Sequence, residues 1–233
     1  LQLEPVLTNY QQSFEVALAQ DTLEGINLLG RIQGKQKETI VLSAHYDHLG
    51  KQGDEIYLGA DDNASGVAVL LMLADWFREH QPNYTLIFAA FDAEEMGLRG
   101  ARAFMKDLPL PQEQIILNLN FDMLSQSSVR ELYICGTRHN EQLKNLVSQF
   151  PKQPGLSLLL GHDDPSLKQE DWTYSSDHAV FHKADIPFLY LGVEDHEHYH
   201  QPSDSFEQVD QGFFQAVGEA IRALVIMLDQ EYK

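Results

Sequence analysis

The stretch Tyr84-Thr85-Leu86-Ile87-Phe88-Ala89-Ala90-Phe91-Asp92-Ala93-Glu94-Glu95-Met96-Gly97 decides the fold. From Leu86 to Phe91 it is apolar on both faces of a period-two strand, the pattern of a central strand covered by helices on each side. It then breaks into acids. Before it, residues 62–78 place Val67, Leu70, Leu71, Ala74 and Phe77 at helical spacing, with Pro82 closing the connection. Further strands are expected at 14–18, 26–32, 39–46, 84–91, 115–121, 131–135, 156–160 and 187–191, and further helices at 97–106, 140–150, 177–183 and 211–231. Strands alternating with helices predict a layered α/β domain with a largely parallel or mixed sheet. No internal repeat and no Pro/Gly/Ser linker divides the chain, so one domain over residues 1–233 is expected. Such sheets bind ligands at the carboxyl ends of their strands, so the chemistry belongs where each apolar run stops.

Composition narrows the function. Of 233 residues, 43% are hydrophobic and 22% charged, an ordinary globular balance. Lys and Arg number 16 against 35 Asp and Glu, a net charge of −19. Such a surface repels phosphate backbones, so no nucleic-acid partner is expected. A lone cysteine, Cys135, excludes an intrachain disulfide and a cysteine-rich zinc module. The longest unbroken apolar run, residues 67–74, is far short of the roughly 18 residues of a bilayer span, so no membrane span is expected. No signal-peptide pattern opens at Leu1, and the acidic balance suits a secreted bacterial protein or a cytosolic one. Ten histidines, most of them near carboxylates, point to metal chemistry.

Five strand ends carry that chemistry. The run 39–44 ends in His45-Tyr46-Asp47-His48, where period two puts His45 and Asp47 on one side. There Asp47 could accept one ring N–H and leave the other nitrogen for a metal. Gly59-Ala60-Asp61-Asp62-Asn63-Ala64-Ser65-Gly66 opens the first long helix. An N-cap needs one such acid; two exceed it, and a carboxylate there could bridge two cations. Asn63-Ala64-Ser65 also fits a glycosylation acceptor, but a sugar there would block the cleft. After 84–91, Glu94 and Glu95 point apart, so one can ligate a metal while the other faces a reacting water. Asp122 follows 115–121, and 187–191 leads into His196-Glu197-His198-Tyr199-His200-Gln201-Pro202-Ser203-Asp204. The H-E-x-x-H string in that segment works only on a helix, and nearby Pro202 argues against one. Each cluster alone has a bland explanation, a solvated junction or a capped helix. Five in one chain do not.

Taken in order, these motifs, with Asp92-Ala93-Glu94-Glu95-Met96-Gly97-Leu98-Arg99-Gly100, Asn120-Phe121-Asp122 and Tyr174-Ser175-Ser176-Asp177-His178, resemble the co-catalytic two-zinc aminopeptidases, the family of secreted bacterial leucine aminopeptidases related to glutamate carboxypeptidase. The resemblance runs from about Phe14 to the C-terminus. It implies a three-layer α/β/α sandwich of zinc exopeptidase type, with a mixed, mostly parallel central sheet and two zinc ions per chain at its carboxyl edge. His45 and Glu95 would be terminal ligands on different ions, and Asp62 would bridge them. Asp122 would complete the site with His45, and His200 the site with Glu95. Asp47 would orient His45, Glu94 would be the general base, and Tyr199 falls where some members place a phenol near the scissile carbonyl. The implied activity is an aminopeptidase on peptide substrates, using a water between the two ions, in a secreted or periplasmic setting. Three acids and two histidines make a nitrogen and oxygen donor set suited to zinc. Glutaminyl cyclases, one-zinc transferases of this fold, are the nearest alternative; they depart from the Asp-Asp-Asn-Ala-Ser-Gly segment that this chain keeps. A non-catalytic binding module is the other alternative, and the intact set of ligands and base argues against it. Residues 161–172 look like a specificity loop whose acids, Asp163, Asp164, Glu170 and Asp171, could equally be a solvated face. Between His48 and Gly59 there is no room for an inserted lid domain.

Overall fold

A computed structural model describes residues 3–18 and 21–232. In chain order the strands are β1 (Glu4–Pro5), β2 (Gln11–Ala17), β3 (Thr22–Ile32), β4 (Thr39–His45), β5 (Gly50–Gln52), β6 (Glu55–Tyr57), β7 (Thr85–Phe91), β8 (Ile115–Phe121), β9 (Glu131–Cys135), β10 (Ser157–Leu160) and β11 (Phe188–Gly192). The helices are α1 (Gly66–Glu79), α2 (Arg99–Lys106), α3 (Glu141–Ser148), α4 (His178–His182) and α5 (Gln211–Glu231). The main sheet runs β1-β3-β7-β4-β8-β11-β9-β10, with β2 also on β3. Its central run β7-β4-β8-β11 is parallel throughout, as is β9 with β10, while β3 joins β7 and β9 joins β11 antiparallel. The expected mixed sheet with a parallel centre is the one observed.

Period two explains the layers. Along β4, Ile40, Leu42 and Ala44 face one core with Val69, Leu70 and Leu73 of α1, Leu143 and Val147 of α3, and Val217, Ile221 and Leu224 of α5. Val41 faces the other core, with Ile87, Ala89 and Phe91 of β7, Ala101 and Phe104 of α2, and Phe181 of α4. Because β7 is apolar on both faces from Leu86 onward and β4 is buried along its whole length, helices must cover both faces, and the result is α/β/α.

Helix starts depart from expectation in one informative place. α1 begins at Gly66 rather than Asp62, since Ala60–Ser65 form an irregular turn in which Asp62 and Asn63 are non-helical. The acids there do not cap a regular helix; they are committed elsewhere, as described below. The segment after His48 holds the small hairpin β5–β6, which the sequence did not signal.

The expectation of no membrane span is corrected by α5. It has 21 residues, about 30 Å at the helical rise, and is long and apolar enough to cross a membrane by length and composition. From Gln211 to Leu228 only Glu219 and Arg222 are charged, so the average is apolar although polar residues interrupt every run. In this fold 44% of that stretch is buried, with Phe213, Val217, Ile221, Leu224 and Leu228 in the core shared with α1.

Candidate functional site

The carboxyl ends of the parallel strands converge on one cleft. His45 is the last residue of β4, Glu94 and Glu95 follow β7, Asp122 follows β8, and His200 lies in the turns after β11. All five line the cleft with Asp62 from the turn before α1. Local chemistry explains the turn after β7. The Asp92 carboxylate accepts the N–H groups of Ile26 (2.8 Å) and Ala93 (2.8 Å), and Ala93 takes a positive φ of 56°, which bends the chain off the sheet.

Asp62 divides its carboxylate between two groups. Its Oδ1 lies 3.2 Å from His45 Nε2, which is also 3.3 Å from Asp122 Oδ1. Its Oδ2 lies 3.1 Å from His200 Nε2, which is 3.4 Å from Glu95 Oε1. Ligand atoms of His45, Asp62 and Asp122 fall within 4.8 Å of one another, and so do those of His48, Asp62 and Glu95. His48 Nδ1 is 3.0 Å from Glu95 Oε1. Its part in this second group was not expected, although it stands in the quoted His45-Tyr46-Asp47-His48 cluster.

Asp47 sits beside His45, but the contacts differ from the expected pattern. β4 ends at His45, and His45 Nδ1 is 3.1 Å from the Asp47 carbonyl oxygen and 3.6 Å from its carboxylate. The carboxylate instead accepts the N–H groups of Glu94 (2.9 Å) and Glu95 (3.2 Å), fixing the turn that presents both glutamates. Those hydrogen bonds, with the His45 ring, outweigh burial and lower the Asp47 pKa below the ordinary aspartate value.

Beneath the cleft, buried acids hold the bridging turn. The Asp204 carboxylate accepts from Asp61 N (3.0 and 3.1 Å), Asp62 N (3.1 Å) and Gln126 Nε2 (2.9 Å). Asp61 in turn accepts from Ser125 N (2.6 Å) and Ser125 Oγ (2.8 Å), and lies 2.9 Å from His196 Nε2. Asn63 is enclosed and donates to the Phe121 carbonyl at 2.9 Å. A Cβ at position 66 would collide with that carbonyl and the Asn63 side chain, so Gly66 lets the helix come this close. His196 and His200 therefore serve different partners, and residues 197–200 form turns, so the H-E-x-x-H string makes no shared ligand pair. Asp204 belongs to the quoted Tyr199-to-Asp204 pattern, which was its only signal.

The cleft is strongly anionic. Asp62, Glu94, Glu95, Asp122, Glu170 and Asp195 line it, and no lysine or arginine does among the described residues. Burial, reinforced by Asp122, Asp177 and Glu95 and opposed by His45, pushes the Glu94 carboxyl up to about 9. Burial likewise raises Asp62, and it raises Asp177, which lies under the site, to about 7. For His45, burial works against a charge, yet the Asp122 carboxylate and hydrogen bonds from the ring to Asp122, Asp47 and Asp62 raise its pKa well above the ordinary value. A ring nitrogen facing two carboxylates is satisfied by a proton or by a cation. Buried carboxylates crowded with no fixed positive charge from lysine or arginine among the described residues are costly, and divalent ions would offset that cost with donors suited to zinc.

Tyr199 is half-buried, lines the cleft and stacks on His200 with ring centroids 3.9 Å apart. Burial, with Asp62 and Asp195, raises its phenol above the ordinary value. In the 161–172 loop, Asp163 accepts from Gly136 N and Arg138 N, and Asp164 accepts from Ser166 N. Asp171 accepts from Thr173 N. Those acids brace backbone; only Glu170 and Trp172 of this loop reach the cleft.

A family profile described as Peptidase family M28 matches residues 27–225. The protein is 30% identical over 200 residues to aminopeptidase YwaD of Bacillus subtilis, a match covering 82% of this chain and 41% of that protein. It is 40% identical over 86 residues to a vacuolar membrane protease of Laccaria bicolor, covering 36% of this chain and 8% of that protein. The chain thus spans less than half the length of these curated relatives. Among solved structures, a zinc aminopeptidase from Bacillus subtilis superimposes with a TM-score of 0.68 at 26% identity, covering 90% of this chain and 51% of that one. A glutaminyl cyclase from Bacteroides thetaiotaomicron gives 0.71 at 18% identity, covering 93% and 82%, a likeness of fold. Relatives named vacuolar membrane proteases join α5 in overturning the expectation of no span.

Proposed function

The chain belongs to peptidase family M28, and from that premise we propose that it is a zinc-dependent aminopeptidase acting on the N-terminal bond of peptides. The observation that carries this is the divided carboxylate of Asp62, one oxygen 3.2 Å from His45 Nε2 and the other 3.1 Å from His200 Nε2. In this reading His45, Asp62 and Asp122 hold one zinc ion, Asp62, Glu95 and His200 hold a second, and residues 1–233 form one catalytic domain. Two zinc ions, when bound, supply Lewis-acid polarisation and lower the pKa of water. Every other task falls to the chain. Asp47 pins the backbone of Glu94 and Glu95, so both carboxylates are presented from a fixed turn. Glu94 takes a proton from the attacking water and returns it to the leaving amine. Burial raises its carboxyl to about 9 without metal, so its function as a base depends on nearby positive charge. Tyr199, kept protonated by its raised pKa, donates to the developing oxyanion, a contribution of about 3 kcal/mol for one donor. The anionic cleft favours a substrate's free α-ammonium, which directs cleavage to the amino terminus. A secreted or periplasmic setting stays part of the reading and rests on the resemblance to secreted bacterial enzymes alone.

The test is a panel of aminoacyl-anilides and an amino-terminal Gln peptide, each with zinc, with a chelator, and with zinc restored. Release of the first residue that chelation abolishes and zinc recovers supports the proposal. A cyclised product without released amino acid, or no hydrolysis in the zinc-loaded chain, rejects it.

A further inference from the structure

His48 has no task in the reading above, yet its ring is 9% exposed and lies against the second carboxylate pair. Nδ1 is 3.0 Å from Glu95 Oε1 and 3.7 Å from Asp62 Oδ2. On the far side of the ring, Nε2 is buried with no hydrogen-bond partner among the described residues. The ring packs under Gly59, where a Cβ would meet it at 2.7 Å. A neutral imidazole carries one N–H. On Nε2 that hydrogen would be a buried donor without an acceptor; on Nδ1 it meets a carboxylate at hydrogen-bonding distance. Nδ1 is therefore the donor, and only a lone pair is left unpartnered, the less costly omission. That tautomer has no free lone pair on the side facing Glu95. His200 approaches the same two oxygens with Nε2 from another direction, its ring centroid 5.9 Å from that of His48 and tilted by 56°. Two imidazoles thus meet one carboxylate pair in different roles.

We propose that His48 is a positioning residue that donates from Nδ1 to Glu95 Oε1 and so sets the affinity of the second zinc site while leaving the first unchanged, an inference that rests on the two-zinc reading. Unpinned, the Glu95 side chain would have rotamer freedom to lose on binding an ion. The outer partner of a ligating carboxylate typically governs 10- to 100-fold in metal affinity. His45 Nε2 meets the other oxygen of Asp62 and the Asp122 carboxylate, so of the first site's residues the shared Asp62 alone lies near the His48 ring, at 3.7 Å against 3.0 Å for Glu95.

Zinc titration of the metal-free chain by calorimetry tests this with two variants. His48→Leu fills the space without a donor, and His48→Asn returns an N–H near the position of Nδ1. The wild-type chain should take up two equivalents. His48→Leu should bind the first unchanged, which also reports an intact fold, and the second about 10- to 100-fold more weakly. His48→Asn should recover the second to within about threefold of wild type, well inside that range. If circular dichroism shows His48→Leu unfolded, His48→Ala takes its place. Wild-type affinity for the second equivalent in the variant lacking the donor overturns the inference, and so does equal weakening of both equivalents. Failure of His48→Asn to recover it makes the imidazole a direct ligand and also overturns it. A wild-type chain that binds fewer than two equivalents removes the two-zinc reading itself, and this inference falls with it.

Discussion

Glu94 and Glu95 are adjacent in sequence and carry different tasks in the proposed reading, which follows what surrounds each. Glu95 meets His48 and His200, whereas Glu94 is buried near His45, Asp122 and Asp177 without an ion-pair partner among the described residues. Glu94→Gln keeps the shape and removes the base. It should lower kcat by about 100- to 10,000-fold while zinc content and thermal midpoint stay at wild-type values. Metal analysis beside steady-state rates checks this, and near-normal turnover would refute the assignment. His178 offers a stability test away from the proposed ligands. It is fully buried, donates from Nε2 to the Trp172 carbonyl at 2.8 Å, and burial depresses its pKa to about 4. The unfolded chain takes up this proton near pH 6.5, the folded chain not until about 4, so stability is full above 6.5 and falls as pH drops between the two. The loss should approach about 3 kcal/mol in the metal-free chain. His178→Phe should flatten that slope, as read from urea midpoints at pH 7 and pH 4.5.

At the scale of elements, β7 was legible because both its side-chain sets are apolar from Leu86 onward, and β4 and β8 because one set is apolar throughout while the other mixes apolar with polar residues. β8 and β9 match the expected 115–121 and 131–135. The short β5–β6 hairpin was not legible, since three-residue strands are exposed and carry no periodicity. The start of α1 was misread for a different reason: Asp61 and Asp62 have the composition of a cap, but their carboxylates are drawn to Ser125, His196, His45 and His200. The far end of α5 is tied by Asp229, which accepts from Asn83 N (2.8 and 2.9 Å) and Tyr84 N (2.9 Å) at the entry to β7. Asp229→Ala leaves those N–H groups without their charged acceptor and should cost about 2–3 kcal/mol in a denaturant titration. An unchanged midpoint would show that the anchor contributes nothing.

For the whole molecule, charge governs behaviour. A net charge of −19 is concentrated in part on the cleft, where acids crowd without lysine or arginine among the described residues. Zinc that binds the folded chain and not the unfolded one should stabilise it by about 2.7 kcal/mol when free zinc exceeds the dissociation constant a hundredfold. That corresponds to a thermal midpoint roughly 5–10 °C higher than in chelator for a chain of this size. Scanning calorimetry in both conditions measures it; coincident transitions would mean that the carboxylate nest holds no zinc. The chain length matters here too, since the curated relatives are more than twice as long as the matched region and α5 has the length and apolarity of a span.

Polarity and period are local properties, so they were written in the chain itself. They defined a layered α/β domain with a parallel or mixed sheet and placed His45, Glu94, Glu95 and Asp122 where apolar runs end; the three-layer sandwich and the choice of His200 came from the resemblance of the ordered motifs to one family. Which of these side chains meet was a matter of folding, because each pairing crosses long separations: 47 residues from Asp47 to Glu94, 77 from His45 to Asp122, 142 from Asp62 to Asp204. Packing the strands side by side turned five isolated polar strand ends into one cleft. It also gave the Asp47 carboxylate to the glutamate turn and brought His48 against Glu95, since a hydrogen bond is decided by distance and direction in space, which spacing along the chain does not encode.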